Sequence, residues 1–113
     1  MAIKKINIGI VGSTGSVGKT SLKIFKKYKK QFNIELLVCD QNLKEITNQI
    51  KIYSPKYVFV NNLQAYNSIR LKKFKKKVIL FNDFFLFQKK FKSKLDKVIL
   101  GTPGLSGLKF AFF

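Results

Sequence analysis

Short apolar segments alternate along the chain with stretches in which apolar residues recur every three or four positions. The short segments predict five strands over 5–11, 33–39, 56–60, 77–81 and 97–100. The periodic stretches predict helices over 16–30, 43–53, 63–73 and 83–91, with Asn42 capping the second and Asn82 or Asp83 the fourth. Apolar strands separated by helical lengths are typical of parallel sheets with helices on both faces. The pattern therefore predicts an α/β fold, a doubly wound parallel sheet of about five strands.

A glycine-rich segment follows the first predicted strand and opens the first predicted helix. Residues 12–18 read GSTGSVG, with glycines at 12, 15 and 18. Gly12 would allow the turn out of the strand, Gly15 would let a diphosphate approach the backbone, and Gly18 would allow close helix packing. The start of the helix offers unpaired N–H groups to an anion, and the hydroxyls of Ser13, Thr14 and Ser16 add donors. This strand–turn–helix predicts a dinucleotide-binding site in a Rossmann-like sheet.

Two alternatives remain for this segment. It could be a glycine-rich turn that only connects a strand to a helix. Gly18, Lys19 and Thr20 also match the end of a P-loop, which requires a glycine where Ser13 stands. The available glycine, Gly12, is one position too early, so the spacing favours the dinucleotide interpretation.

The second predicted strand ends at Cys39 and is followed by Asp40, Gln41 and Asn42. In dinucleotide-binding folds an acid at this place accepts a hydrogen bond from the ribose 2′-OH of NAD and repels a 2′-phosphate. Asp40 on its own therefore favours NAD. Alternatively, Asp40 or Asn42 caps the next helix. Cys39 is interpreted as an inert apolar residue at the strand end, because nothing near it in the sequence would activate a thiolate.

Composition excludes several classes of site. The 113 residues suffice for one small domain, and the chain has no histidine and a single cysteine. Histidine-based triads, internal disulfides and Cys-x-x-Cys metal or redox sites are thereby excluded. A lone cysteine without a secretory signal is typical of a cytoplasmic protein, and no apolar run is long enough to span a bilayer.

The formal net charge of +18 raises the alternative of a basic nucleic-acid-binding domain. Of the 23 cationic residues, only Arg70 is an arginine, the residue that most often reads base edges and chelates phosphate. A lysine-rich surface gives unspecific, salt-sensitive attraction. We therefore interpret the lysines as a solvated surface and predict no specific nucleic-acid partner.

These segments together resemble one known family. GSTGSVG at 12–18, the segment YSPKY at 53–57 and the turn GTPGLSGL at 101–108 resemble the N-terminal part of 1-deoxy-D-xylulose 5-phosphate reductoisomerase. The resemblance covers nearly the whole chain. Semialdehyde dehydrogenases and acyl-phosphate reductases share only the looser GxTGxxG, so another NAD(P)-dependent dehydrogenase remains the alternative.

The resemblance implies an NADPH-binding loop formed by Thr14, Gly15, Ser16 and Val17, with Asn42 beside the adenosine 2′-phosphate. The chain departs from the family just before Asn42. The family's glycine and lysine there fall on Asp40 and Gln41, so the usual cation for the 2′-phosphate is missing. Lys44 is a candidate substitute.

The resemblance also implies an activity. The family isomerises 1-deoxy-D-xylulose 5-phosphate and reduces the product with NADPH to 2-C-methyl-D-erythritol 4-phosphate, in the non-mevalonate isoprenoid pathway. It uses Mg or Mn, and the full-length enzyme is expected to be a homodimer. The five acidic residues of this chain match none of the family's metal ligands, so we assign no catalytic or metal-binding residue here.

The chain is thus predicted to be an incomplete dinucleotide-binding domain over residues 1–113, inactive alone. The apolar end AFF at 111–113 supports this, because natural C-termini are usually polar. The turn at 101–104 is expected to lie near the nicotinamide, and the final apolar residues to lower solubility.

Overall fold

Strands and helices alternate along the chain, as their apolar patterns predict. The computed structural model describes residues 4–101. The strands are β1 (Ile6–Val11), β2 (Phe32–Cys39), β3 (Tyr57–Val60), β4 (Ile79–Phe81) and β5 (Lys97–Leu100). The helices are α1 (Ser16–Lys27), α2 (Leu43–Tyr53), α3 (Leu63–Tyr66), α4 (Ile69–Lys72) and α5 (Phe84–Lys90).

The five strands form one sheet in the order β4-β3-β2-β1-β5. Every neighbouring pair is parallel, and β1 lies between β2 and β5. The β1–β2 register shifts between Ile8 and Gly9. This arrangement confirms the predicted parallel α/β sheet of five strands.

Helices cover both faces of the sheet. On one face, α1, α2 and α4 bury Leu22, Ile46, Ile50 and Leu71 against inward residues of β1, β2 and β3. On the other face, Phe87 of α5 packs on an aromatic cluster that contains Tyr57, Phe59, Phe81 and Phe91. Successive strand residues point to opposite faces, so nearly continuous apolar strands can supply both cores. The sheet is therefore doubly wound, as predicted.

The predicted helix over 63–73 is two short helices. Asn62 caps α3, and the Ser68 hydroxyl caps α4 by accepting a hydrogen bond from the Arg70 N–H. Ser68 has extended backbone angles, which interrupts the helical path. A serine in a periodic stretch can start a second helix as well as sit inside the first, and periodicity alone does not distinguish the two.

Helix ends elsewhere follow the local chemistry. α1 ends at Lys27, three residues before the predicted end. Asp83 caps α5 by accepting from the Phe85 and Leu86 N–H groups. Asn82 instead donates from Nδ2 to the carbonyls of Val60 and Asn61 at the end of β3.

Some predictions fall on residues beyond the described range. Only Gly101 of the turn at 101–104 is described, and the motif at 102–108 and the apolar end at 111–113 lie outside. Among residues 4–101, no helix has the length and apolarity that crossing a bilayer requires.

Candidate functional site

The sheet changes winding direction at β1. The chain leaves β1 through α1 on one face to reach β2, and it returns to β5 from α5 on the other face. In open parallel sheets a crevice for ligands forms at such a point, outside the carboxyl ends of the two strands. Here those ends carry residues 12–15 and Gly101, whose N–H donates to the Val11 carbonyl at 2.7 Å.

The segment 12–15 is a tight turn held to β2 by its backbone. The N–H groups of Gly12 and Ser13 both donate to the Val38 carbonyl, at 2.8 and 3.0 Å. Gly15 N–H donates back to the Gly12 carbonyl at 3.1 Å. Gly12 has φ 82°, a conformation that residues with a side chain rarely adopt. The turn therefore needs glycine at position 12, as the sequence analysis predicts.

Gly18 permits close contact between α1 and this turn. A Cβ on Gly18 would lie 2.3 Å from the Gly12 carbonyl oxygen and 2.6 Å from the Ser13 Cα. Both atoms belong to the backbone, so neither can rotate away as a flexible side chain would. The glycine at position 18 is required by packing of the helix, here against the turn rather than against the sheet.

Neither backbone conformation nor packing within the protein requires glycine at position 15. The φ of Gly15 is −81°, and a Cβ would meet only the Gly12 and Gly101 carbonyl oxygens, at 3.5 and 4.0 Å, which are ordinary contact distances. That Cβ would project between the carboxyl ends of β1 and β5. A glycine here leaves the crevice open to an outside group that must approach the backbone.

The start of α1 is open to an anion. Side chains cap α2, α3, α4 and α5, whereas the residue before α1 is Gly15, which has no side chain to cap the helix. Its first backbone hydrogen bond runs from Lys19 N–H to the Gly15 carbonyl, so the N–H groups of Ser16 and Val17 have no backbone partner within residues 4–101. Free N–H groups and the helix dipole favour a negatively charged group at this place.

The predicted loop residues lie together at this edge of the sheet. Gly15, Ser16 and Val17 are exposed, and Thr14 is half-buried. Ser13 differs, because it is completely buried and its hydroxyl has no hydrogen-bond partner among the described residues. It therefore offers no hydroxyl at the surface, contrary to the expectation that it adds a donor.

The end of β2 lies beside this turn. Asn42 Oδ1 accepts from the Glu45 N–H at 3.1 Å, so Asn42 caps α2, one of the two alternatives. Asp40 is exposed, and its Oδ1 accepts from Asn61 Nδ2 at 3.2 Å. Asp40 thus presents a carboxylate at the carboxyl end of the strand next to β1.

The surroundings of Cys39 support its interpretation as an unreactive residue. The side chain is buried, and burial together with the neighbouring Asp40 raises the pKa of the thiol to about 12. A thiol protonated at neutral pH is a poor nucleophile and a poor metal ligand.

One residue that holds the turn was not among the predicted site residues. Gln49 of α2 is almost completely buried and donates from Nε2 to the Ser13 carbonyl at 2.8 Å. The sequence does contain an indication of this role. Gln49 is a polar residue next to the apolar face of a predicted helix, which Ile46 and Ile50 define, and a polar residue buried there needs a hydrogen-bond partner.

Within residues 4–101, no group of three or more histidine, cysteine, aspartate or glutamate side chains could hold a metal ion. The arrangement that is described can hold an anionic ligand through backbone donors.

Comparisons with known proteins identify one family. The family model described as 1-deoxy-D-xylulose 5-phosphate reductoisomerase matches residues 8–112. The enzyme of that name from Pelagibacter ubique (strain HTCC1062) is 41% identical over 107 residues, which cover 90% of this chain and 27% of the relative. The chain thus spans about a quarter of the relative's length.

Solved structures show the same fold. The reductoisomerase from Zymomonas mobilis in complex with NADPH superposes with a TM-score of 0.79 at 19% identity, covering 95% of this chain and 28% of that one. A reductoisomerase structure in complex with magnesium gives a TM-score of 0.78 at 17% identity, covering 94% of this chain and 27% of the other. Because the family model matches nearly the whole chain, this protein belongs to the 1-deoxy-D-xylulose 5-phosphate reductoisomerase family.

Proposed function

We propose that the chain is the NADPH-binding part of a reductoisomerase that converts 1-deoxy-D-xylulose 5-phosphate to 2-C-methyl-D-erythritol 4-phosphate. The observation that carries the proposal is the uncapped start of α1 at the point where the sheet changes winding direction, with room kept open by Gly15. The NADPH named for the Zymomonas mobilis structure supports the choice of ligand.

In this proposal the backbone binds the diphosphate. The free N–H groups of Ser16 and Val17, with that of Thr14 nearby, provide donors that need no reorganisation, whereas the Gly15 N–H is already bonded to the Gly12 carbonyl. NADPH, when bound, supplies a hydride to the substrate carbonyl. The described residues orient this cofactor, and the substrate and metal sites belong to parts of the enzyme outside them.

Three finer features are proposals of the same kind. We propose Mg or Mn as the metal of the whole enzyme, a homodimer as its assembly and the cytoplasm as its location. The magnesium in a related structure supports the first of these, and the presence of a single cysteine, the buried Cys39, supports the last.

The P-loop alternative has less support. Its first glycine would stand at position 13, where the structure has a completely buried serine. Lys19 is an exposed residue of the first helical turn, a place that is compatible with either interpretation, so the decision rests on the missing glycine.

Titration of the purified protein with NADPH, followed by cofactor fluorescence, tests the proposal. We expect saturable binding at physiological salt, with ATP competing far more weakly than NADPH. Preferential binding of ATP would favour the P-loop. If RNA or DNA is retained at physiological salt while NADPH does not bind, the nucleic-acid alternative would replace the proposal.

Asp40 is expected to oppose NADPH relative to NADH. Replacing it by asparagine removes a negative charge from the end of β2 and keeps an acceptor for Asn61 Nδ2. We expect Asp40→Asn to strengthen NADPH binding by about three- to tenfold relative to NADH, more at low salt, because the carboxylate repels a 2′-phosphate and screening weakens that repulsion.

The ratio of the two dissociation constants, measured at two ionic strengths, is the readout. Asp83→Asn is the matched control, since it makes the same charge change at β4, on the far edge of the sheet, and keeps a capping residue. An equal change of the ratio in both variants would show that Asp40 does not face the ribose.

A further inference from the structure

Gln49 connects α2 to the turn that follows β1. Its side chain is only 1% exposed. Nε2 donates to the Ser13 carbonyl at 2.8 Å and to Glu45 Oε2 at 3.0 Å. The helix that packs beside α1 therefore holds one carbonyl of the turn directly.

The orientation of the Gln49 amide follows from its partners. A carbonyl and a carboxylate oxygen can only accept hydrogen bonds, so the NH₂ group must face them. The same orientation leaves Gln49 Oε1 buried without a hydrogen-bond partner among residues 4–101. An unpaired buried acceptor lowers the free energy of unfolding. The bond from Gln49 Nε2 to the Ser13 carbonyl is therefore kept although Oε1 has no partner among these residues.

Holding this carbonyl also fixes the direction of the next N–H. The Ser13 carbonyl and the Thr14 N–H belong to one planar peptide group, and the described chain has no cis peptide. In a trans peptide these two groups point in opposite directions. With the carbonyl turned inward to Gln49, the Thr14 N–H is turned away from α2. The preceding peptide is held separately, by the Ser13 N–H bond to the Val38 carbonyl.

We propose that Gln49 is a positioning residue, which aims the Thr14 N–H at the nucleotide diphosphate by holding the opposite end of the same peptide. The inference rests on the proposed function, because it assumes that the turn binds a dinucleotide. Without Gln49 the peptide is free to rotate, and a carbonyl oxygen facing the phosphates would repel them.

The first test replaces Gln49 by leucine, which has a similar volume and no donor. We expect Gln49→Leu to raise the dissociation constant for NADPH by about five- to tenfold, less than the full loss of a hydrogen bond to a charged group, because the Thr14 N–H stays in the turn and loses only its fixed direction. In an active full-length enzyme, KM for NADPH should rise while kcat changes less.

Thr47→Val is the matched control on the same helix. Thr47 is also buried, but its hydroxyl donates only to carbonyls of its own helix, Leu43 and Lys44. Both variants should lose some stability, and only Gln49→Leu should weaken NADPH binding. Equal weakening by both variants would overturn the proposal in favour of a general loss of structure.

A second measurement does not depend on cofactor binding. The direction of the Thr14 N–H bond in the ligand-free protein can be followed by residual dipolar couplings. We expect it to change in Gln49→Leu and to stay as in the parent in Thr47→Val. An unchanged Thr14 direction in Gln49→Leu would overturn the positioning role even if NADPH binds the parent, whereas failure of the parent to bind NADPH would overturn the proposed function instead.

The variant Gln49→Glu adds a pH dependence. A protonated carboxyl can donate to the Ser13 carbonyl, whereas an ionised one repels this carbonyl and the neighbouring Glu45 carboxylate. The charged groups of α1 that line the same pocket as Gln49, Lys19 and Lys23, are unchanged in the variant. We expect NADPH binding by this variant to strengthen as the pH falls, relative to the parent at each pH. A constant ratio to the parent across the pH range would contradict the need for a donor at this place.

Discussion

Replacing Gly18 by alanine is expected to lower the free energy of unfolding by about 3 kcal/mol, a large part of the 5–15 kcal/mol typical of a domain. The added methyl group would lie 2.3 Å from the Gly12 carbonyl oxygen, so the turn and α1 must separate. Alanine favours helix by about 1 kcal/mol over glycine, which offsets only part of this cost. Chemical denaturation followed by circular dichroism measures the difference.

Gly15→Ala is the control for this comparison. It adds the same methyl group three residues earlier, where the nearest protein atoms are 3.5 and 4.0 Å away. Its free energy of unfolding should stay within about 1 kcal/mol of the parent, the usual range for a change at a helix start. If Gly18→Ala proves as stable as Gly15→Ala, the close approach of α1 to the turn is not present in solution.

The same Gly15→Ala variant is expected to weaken NADPH binding by about 30-fold. Its methyl group would project between the ends of β1 and β5, in front of the N–H groups that start α1. Keeping the diphosphate away from these donors forfeits hydrogen bonds to a charged group, which are worth about 1.5–3 kcal/mol each. Fluorescence titration measures the dissociation constant.

Val17→Ala provides the comparison for binding. The Val17 side chain is 52% exposed and its N–H stays in place when the side chain is shortened. We expect its NADPH affinity to remain within about twofold of the parent, because a surface substitution of this kind changes free energies by less than about 0.5 kcal/mol. NADPH binding by Gly15→Ala that is as tight as that of Val17→Ala would show that the diphosphate does not contact this turn.

The strands and the main helices could be predicted from the sequence because several local signals agree. Asn42 caps α2 where the apolar period begins, and the helix ends at Tyr53 before Ser54 and Pro55, as predicted. The segment over 63–73 could not be resolved, because its period continues across Ser68, where the backbone turns out of the helix.

The site could be predicted only in part. The glycine spacing identified the turn and the need for glycine at positions 12 and 18. It could not show that Ser13 is buried or that Gln49 holds its carbonyl, because that contact joins residues 36 positions apart. Such a contact depends on how α2 packs on the sheet, which a local pattern does not contain.

The position of β1 in the sheet has a consequence for biosynthesis. Ile8 of β1 pairs with Lys97 of β5. Almost 90 further residues must therefore be translated before β1 can pair with β5. At 5–20 residues per second this takes about 5–18 s, during which one edge of β1 is open to wrong partners. Among the described strands β5 is the last to be translated, so the crevice between β1 and β5 forms after the other four strands are available, and a dinucleotide bound there would stabilise the pairing of β1 with β5.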